Sequence, residues 1–252
     1  MDRSRRFLFF FDQKSDDIVS EWLSHAPTAT LADTFEMSYT DWLGGHFSLF
    51  SAGLFTVFPA WQKNIGPLLA ECAYPMVIDP GVVFGAGTHT TTRNSLEAID
   101  LLYYLDTPRT VIDIGAGTGI LGIAAVLRGA STATLIDINP LCTQTTTRNI
   151  ELNQVTDRVT THTGDARSFA SRPAELLIAN IHYDILQHLL TSDMLQNKRW
   201  LIVSGILSSE VQSVQDTLSS LPTEEIRHWN TDGIWHTFLV AVFPDLFEKE
   251  NL

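Results

Sequence analysis

Cysteine is nearly absent. Cys72 and Cys142 are the only two, far apart and in no metal-like spacing. Two distant thiols speak against a disulfide framework or a cysteine-based metal site, and they suit a reducing cytosol. Basic residues are scarce as well. Lys and Arg total 16 against 29 Asp and Glu, for a formal charge of -13. General nucleic-acid binding needs many phosphates neutralised, and this balance does not provide that. The acidity suits a basic partner through long-range steering, or serves solubility alone. No apolar run approaches the length of a membrane span. The first residues are basic and then apolar, but the run Phe7–Phe11 is too short for a secretory signal and no small-residue cleavage site follows. The expectation is a soluble cytoplasmic protein that meets neither membrane nor nucleic acid directly.

What is present supports a packed fold. Hydrophobic residues make up 44% of the 252 positions and charged residues 18%, enough for a sizeable core. No repeat or low-complexity tract interrupts the chain. Residues 1–70 differ in texture from the rest, with Trp22, Trp42, Trp61 and many Phe. Here Arg6–Phe11 and Leu54–Phe58 read as strands, the second ended by Pro59. Ser15–Ser24 reads as a short helix with Ile18, Val19, Trp22 and Leu23 on one side. This predicts a small N-terminal α+β segment over 1–70, followed by the main domain over 71–252. Its aromatics either anchor a partner or build a small core.

From Thr91 the pattern turns regular. Leu96, Ile99, Leu102 and Tyr103 recur at helical spacing. Strands are expected at 111–114, 134–137, 159–163, 176–179 and 200–203. Helices are expected over 120–127, from Pro140 to about Asn153, through Leu186 and Leu190, and from Ser208. Two closing strands, near 225–229 and 234–243, are close enough to pair antiparallel. Alternation with short connections predicts an α/β, doubly wound parallel sheet covered on both faces.

The first strand runs straight into Gly115-Ala116-Gly117-Thr118-Gly119. Glycines there let the backbone turn tightly and approach a ligand, and the following helix offers amide donors. A dinucleotide site would show Gly-x-Gly-x-x-Gly. Gly115, Gly117 and Gly119 follow a different spacing, and Asp113 inside the strand suits a ligand that carries an amino group. Asp137 ends the second strand, where a carboxylate accepts hydrogen bonds from both ribose hydroxyls, or caps the helix at Pro140. Asp165, after the third strand, either accepts from an adenine amine or serves the turn.

The stretch Asp79-Pro80-Gly81-Val82-Val83-Phe84-Gly85-Ala86-Gly87-Thr88-His89-Thr90-Thr91-Thr92 resembles the signature of the PrmA family, the methyltransferases of large-subunit ribosomal protein L11. That pattern is Asp-Pro-Gly-x-x-Phe-Gly-Thr-Gly-Thr-His-Pro-Thr-Thr. The similarity continues through the glycine loop, Asp137-Ile138-Asn139-Pro140, Asn149 with Glu151-Leu152-Asn153, Ala179-Asn180-Ile181 and Ser204-Gly205-Ile206-Leu207. It spans about residues 79–243. The resemblance implies the Rossmann-like seven-stranded sheet of class I methyltransferases and S-adenosylmethionine as cofactor. It also implies a protein acceptor, such as a basic ribosomal protein. In this light residues 79–92 form a lid on the methionine end of the cofactor. Phe84 packs on its apolar atoms and Thr88 bonds its carboxylate or amine. Thr91 and Thr92 cap the next helix, and His89 shapes the loop. Ala86 and Thr90 depart from the pattern, as do His182, Tyr183 and Asp184 after Asn180-Ile181.

Methyl transfer to an amine needs a neutral, aimed lone pair. Asn180, at the end of the fourth strand, can accept an amine hydrogen through its side-chain carbonyl, and the Ile181 backbone carbonyl can accept another. Asn180 alternatively only terminates its strand. His182 and Tyr183 are expected to line the acceptor side. Three rivals remain: a methyltransferase for another protein or a small molecule, a non-catalytic S-adenosylmethionine-binding module, and a nicotinamide dehydrogenase, which the glycine spacing disfavours.

Overall fold

The computed structural model describes residues 15–34 and 47–243, and the chain divides into two compact units, Met1–His46 and Phe47–Leu252. In the first, helix α1 (Asp16–His25) follows Ser15, matching the expected helix to within a residue at each end. The strand expected at Arg6–Phe11, and Trp42, lie outside the described residues.

The second unit opens with a three-stranded sheet of β1 (Phe50–Ala52), β2 (Phe55–Pro59) and β3 (Tyr74–Ile78), with a short helix α2 (Gly66–Glu71) between β2 and β3. β1 and β2 are antiparallel, whereas β2 and β3 run parallel. The boundary expected near residue 70 falls inside α2, and β2 pairs with β3 across it. Residues 47–70 therefore belong to the second unit, where Phe55, Val57, Phe58, Met76 and Ile78 are fully buried.

The large sheet is built from β4 (Thr110–Ile114), β5 (Thr132–Asp137), β6 (Val159–Thr163), β7 (Leu176–Asn180), β8 (Trp200–Leu207), β9 (Thr223–Trp229) and β10 (Trp235–Val242). Its order is β6-β5-β4-β7-β8-β10-β9. The first five strands in that order are parallel, and β10 pairs antiparallel with both β8 and β9. The helices are α3 (Thr90–Leu105), α4 (Ile120–Arg128), α5 (Pro140–Leu152), α6 (Arg167–Ala170), α7 (Tyr183–Leu186), α8 (Ser192–Leu195) and α9 (Val211–Ser219). Central strands such as β7 and β8 are apolar on consecutive residues because both faces are covered. The single helix expected through Leu186 and Leu190 is two short ones. Thr191 breaks it, accepting the Met194 amide at 3.4 Å to cap α8.

Register decides where chemistry can occur. Ile114 lies beside Ile136 and Ala179, and Asn180 lies beside Ser204. The C-terminal ends of β5, β4, β7 and β8 therefore come level. They deliver Asp137, Gly115, Asn180 and Gly205 to one edge, where doubly wound sheets bind ligands. The small sheet packs on α3, α4 and α5.

Phe238 stands in β10 between β8 and β9, fully buried, and stacks on the His228 ring at 4.1 Å. Phe238→Ala is expected to cost about 3–5 kcal/mol of unfolding free energy. Urea titration followed by circular dichroism measures it. A loss under about 1 kcal/mol would mean that the β8–β10–β9 layer is not the packed core described.

Candidate active site

The loop from Gly115 to Gly119 turns with φ of +69°, +56° and +81° at its three glycines, a region open to glycine. A Cβ on Gly117 would stand 2.3 Å from the Phe84 carbonyl oxygen, and one on Gly115 would stand 2.3 Å from the Ile181 Cγ2 atom. The close approach foreseen for these glycines is thus, at least in part, to the protein's own lid and to Ile181. The amides are engaged as well. Those of Gly115 and Ala116 donate to the Ile136 carbonyl, that of Thr118 to the Phe84 carbonyl and that of Gly119 to the Ala116 carbonyl. The Gly117 amide donates to Asp137 Oδ2 at 3.0 Å. A loop with its amides so used is no cradle for a diphosphate, which needs free N–H groups.

Asp113 was expected to face a ligand amine. It is 1% exposed, and its Oδ2 accepts the Gly122 amide at 2.9 Å in the first turn of α4. Burial pushes its carboxyl up to about 7, against the opposing pull of the Gly122 amide and with a further push from the Asp137 charge. Asp137 is half-buried, with Oδ1 accepting the Asn139 amide at 2.9 Å. The cap of α5 is Asn139, whose side chain accepts the Leu141 amide at 3.0 Å, so Asp137 bridges the glycine loop and this cap. Beside it, burial and the Asp137 charge push the Cys142 thiol up to about 12. Asp165 is forked by Arg167, whose Nε lies 3.0 Å from each carboxylate oxygen, and it also accepts the Arg167 amide. Those hydrogen bonds hold its carboxyl at about 2. In this arrangement Asp165 serves the turn into α6.

The lid rests on the glycine loop. Thr118 Oγ1 donates to the Gly85 carbonyl at 2.8 Å, beside the Thr118–Phe84 backbone bond of 3.1 Å. From the other side Phe50 of β1 packs against Gly87, where a Cβ would meet its ring. Arg93 lies over the Phe50 ring at 4.6 Å and donates to the Gly87 carbonyl. Phe84 is 56% exposed, with its ring 5.4 Å from His89, and Thr88 is exposed. Neither Thr91 nor Thr92 caps α3. His89 does: its Nδ1 accepts the Thr91 amide at 3.3 Å, which leaves the ring proton on Nε2. Burial lowers the His89 pKa, against the nearby Asp232.

Asn180 opens on a cleft that it lines with Phe84, Gly85, Thr92, Gly115 and Ala116. Ile181 is held between two glycines. Its side chain meets Gly115, and its carbonyl oxygen lies 2.7 Å from where a Cβ on Gly205 would stand. Any other residue at Gly205 would cover that carbonyl. His182 is exposed, whereas Tyr183 is half-buried against the core cluster under β7 and β8.

Sequence reasoning gave Thr92 another role and missed two neighbours of His89, Trp235 and Asp232. Thr92 is fully buried, and its Oγ1 has no hydrogen-bond partner while its residue lines the cleft. Trp235 sits edge-on to His89 at 5.0 Å and extends the aromatic wall begun by Phe84. The Asp232 carboxylate accepts the amides of Ile234 and Trp235. The resemblance had already marked Thr92, but as a helix cap. Trp235 and Asp232 lie in no motif.

Sheet order, glycine loop and strand-end residues together define the class I methyltransferase fold. The chain belongs to the family described as ribosomal protein L11 methyltransferase (PrmA), whose model matches residues 18–241. A ribosomal protein L11 methyltransferase from Streptococcus pyogenes is 34% identical over 213 residues, covering 79% of this chain and 64% of the relative. The chain thus spans 64%, less than two thirds, of the length of the curated relatives it matches. A crystal structure of ribosomal protein L11 methylase from Lactobacillus delbrueckii subsp. bulgaricus superposes with a TM-score of 0.68 at 22% identity, covering 78% of this chain and 99% of that one. An O-methyltransferase from Bacillus cereus, solved in complex with SAH, gives a TM-score of 0.52 at 12% identity, covering 62% and 84%. At these identities the two structures bear on the fold alone. Among the described residues, no helix is long and apolar enough to cross a membrane.

The raised carboxyl of Asp113 predicts a pH signature. A native-state pKa near 7 against an unfolded value near 3.8 means that the protonated form is favoured by folding. This contribution is complete below about pH 4 and is lost as the pH rises through 7. Asp113→Asn keeps an acceptor for Gly122 and removes the titration. The wild type should therefore lose stability relative to the variant between pH 5 and pH 8 in urea unfolding. Parallel curves would show that Asp113 is ionised throughout.

Proposed function

We propose that this chain transfers a methyl group from S-adenosylmethionine to an amine, a lysine or N-terminal amine of a ribosomal protein. The observation that carries the reading is the placement of Asn180. It ends β7 and opens on the cleft between glycine loop and lid, beside an Ile181 carbonyl that a side chain at position 205 would crowd.

The residues fit the cofactor. Asp137 holds two amides and keeps lone pairs for a ribose diol. The orphaned Thr92 hydroxyl suits the polar methionine end, because a buried hydroxyl without a partner is costly unless a ligand supplies one. Phe84 and Thr88 present exposed side chains on the lid to the ligand, while Asp165 must first exchange Arg167 for an adenine amine. Gly115, Gly117 and Gly119 shape the turn and Asp113 supports it from beneath.

When bound, the cofactor supplies a methyl group already activated by a sulfonium. What the chain must do is position and desolvate the acceptor. The apolar surroundings of Phe84, Ile120, Leu121 and Ile181 lower the amine pKa from its ordinary value near 10.4 and favour the neutral form. The Asn180 side-chain carbonyl and the Ile181 backbone carbonyl accept two amine hydrogens and turn the lone pair toward the methyl carbon. The formal charge of -13 favours encounter with a basic protein, in the cytoplasm where ribosomal proteins are found. His182, exposed immediately after Ile181, supports a second reading in which the acceptor is another protein or a small molecule.

Tritium transfer from labelled S-adenosylmethionine into cell extract, resolved by size, tests the reaction. Label in a small basic ribosomal protein is the expected result, and label only in RNA or small molecules would overturn the acceptor. In the same assay Asn180→Ala should keep affinity for S-adenosylhomocysteine and lose about tenfold or more in turnover. Asp137→Ala should weaken that affinity by about 1–3 kcal/mol. Equal loss of binding and turnover in Asn180→Ala would reduce Asn180 to a support of the cofactor or the fold.

A further inference from the structure

We propose that Asn149, on the buried face of α5, is a positioning residue for the cofactor site. Its side chain bolts the root of the lid to the glycine loop. The inference rests on reading the cleft as an S-adenosylmethionine site.

Asn149 is fully buried. Its Oδ1 accepts the Asp79 amide at 2.8 Å, and its Nδ2 donates to the Asp79 carbonyl and to the Thr118 carbonyl, both at 2.9 Å. A side-chain amide thus pairs with both backbone groups of Asp79 as a neighbouring strand would, and spends its second N–H on the glycine loop. Thr118 closes the ring from its other side, through the Phe84 carbonyl and the Gly85 carbonyl. The circuit runs from α5 to Asp79, along the lid to Phe84 and Gly85, across to Thr118 and back to α5. Thr146, one turn earlier on α5, adds a 2.9 Å bond to the Gly117 carbonyl. Phe84 and Gly85 line the cleft, so the circuit fixes their height over Gly115 and Ala116 before any ligand arrives. That is preorganisation, which raises affinity by removing an ordering cost.

Asn153 supplies an internal control. One turn later, capping the end of α5, its side chain accepts the Val77 amide at 2.9 Å and donates to the Val77 carbonyl at 2.7 Å. The pairing is the same, but Val77 lies in β3, before the lid begins, and the second N–H of Asn153 goes to the Asn149 backbone carbonyl at 2.8 Å, not to the glycine loop. Loss of either asparagine removes buried hydrogen bonds, yet only Asn149 reaches the glycine loop.

Asn149→Ala, Asn153→Ala and the wild-type chain are titrated with S-adenosylhomocysteine by calorimetry, well below their melting temperatures, and each is melted. Both variants should melt earlier. Asn149→Ala should weaken binding tenfold or more, and Asn153→Ala by less than twofold. Should Asn149→Ala not fold, Thr118→Val opens the same circuit at Gly85 and is expected to weaken binding at least threefold. The proposal is overturned if the two asparagine variants bind alike, or if Thr118→Val binds as the wild type does. A wild-type chain that does not bind S-adenosylhomocysteine overturns the cofactor reading itself, and the proposal with it.

Discussion

Between Phe84 and Thr118 two backbones meet at 3.1 Å, and neither could do so if Gly117 carried a side chain. That contact sets much of the rest. It fixes the lid over the first turn of the sheet edge, and it uses an amide that a phosphate-binding loop would leave free. Behind it, α5 bonds the Thr118 carbonyl and Asp79 at the root of the lid through Asn149, and the Gly117 carbonyl through Thr146. The glycines at 115, 117 and 205 are therefore answers to local geometry. Each stands where another segment of the chain comes within 3 Å of a missing Cβ.

Charge at the sheet edge is arranged in depth. Asp113 is buried under the turn with its carboxyl raised, while Asp137 stands half-buried at the surface with two amides on it. Burial and the neighbouring Asp137 charge both disfavour the ionised form of Asp113, which lessens the like-charge repulsion behind Asp137. On the opposite flank the wall is aromatic. Phe84, His89 and Trp235 follow one another at 5.4 Å and 5.0 Å, with burial lowering the His89 pKa against the pull of Asp232.

The large sheet was legible because its central parallel strands are buried on both faces and read as unbroken apolar runs such as Leu176–Ala179. The small sheet was only half legible. β1 has three residues, too few for a period, and β3 carries Pro75, which argues against a strand unless that strand is an edge. β3 is such an edge, and Asn153 pairs with its Val77. In the site, Asp137 and Asn180 could be found from their places at strand ends. Asp113 could be found but not placed, since its partner Gly122 is fixed only by the turn between them. Trp235, Asp232 and the orphaned Thr92 hydroxyl depend on neighbours far away in sequence, and no local pattern announces them.

Hydrogen exchange of the intact chain, with and without S-adenosylhomocysteine and with NAD as comparison, tests most directly that lid and glycine loop together hold the cofactor. The account predicts that S-adenosylhomocysteine slows exchange in residues 79–92, in 115–122 and around Asp137, all in step with occupancy, and that NAD leaves them unchanged. Protection by NAD, or protection by S-adenosylhomocysteine that spares residues 79–92, would contradict it.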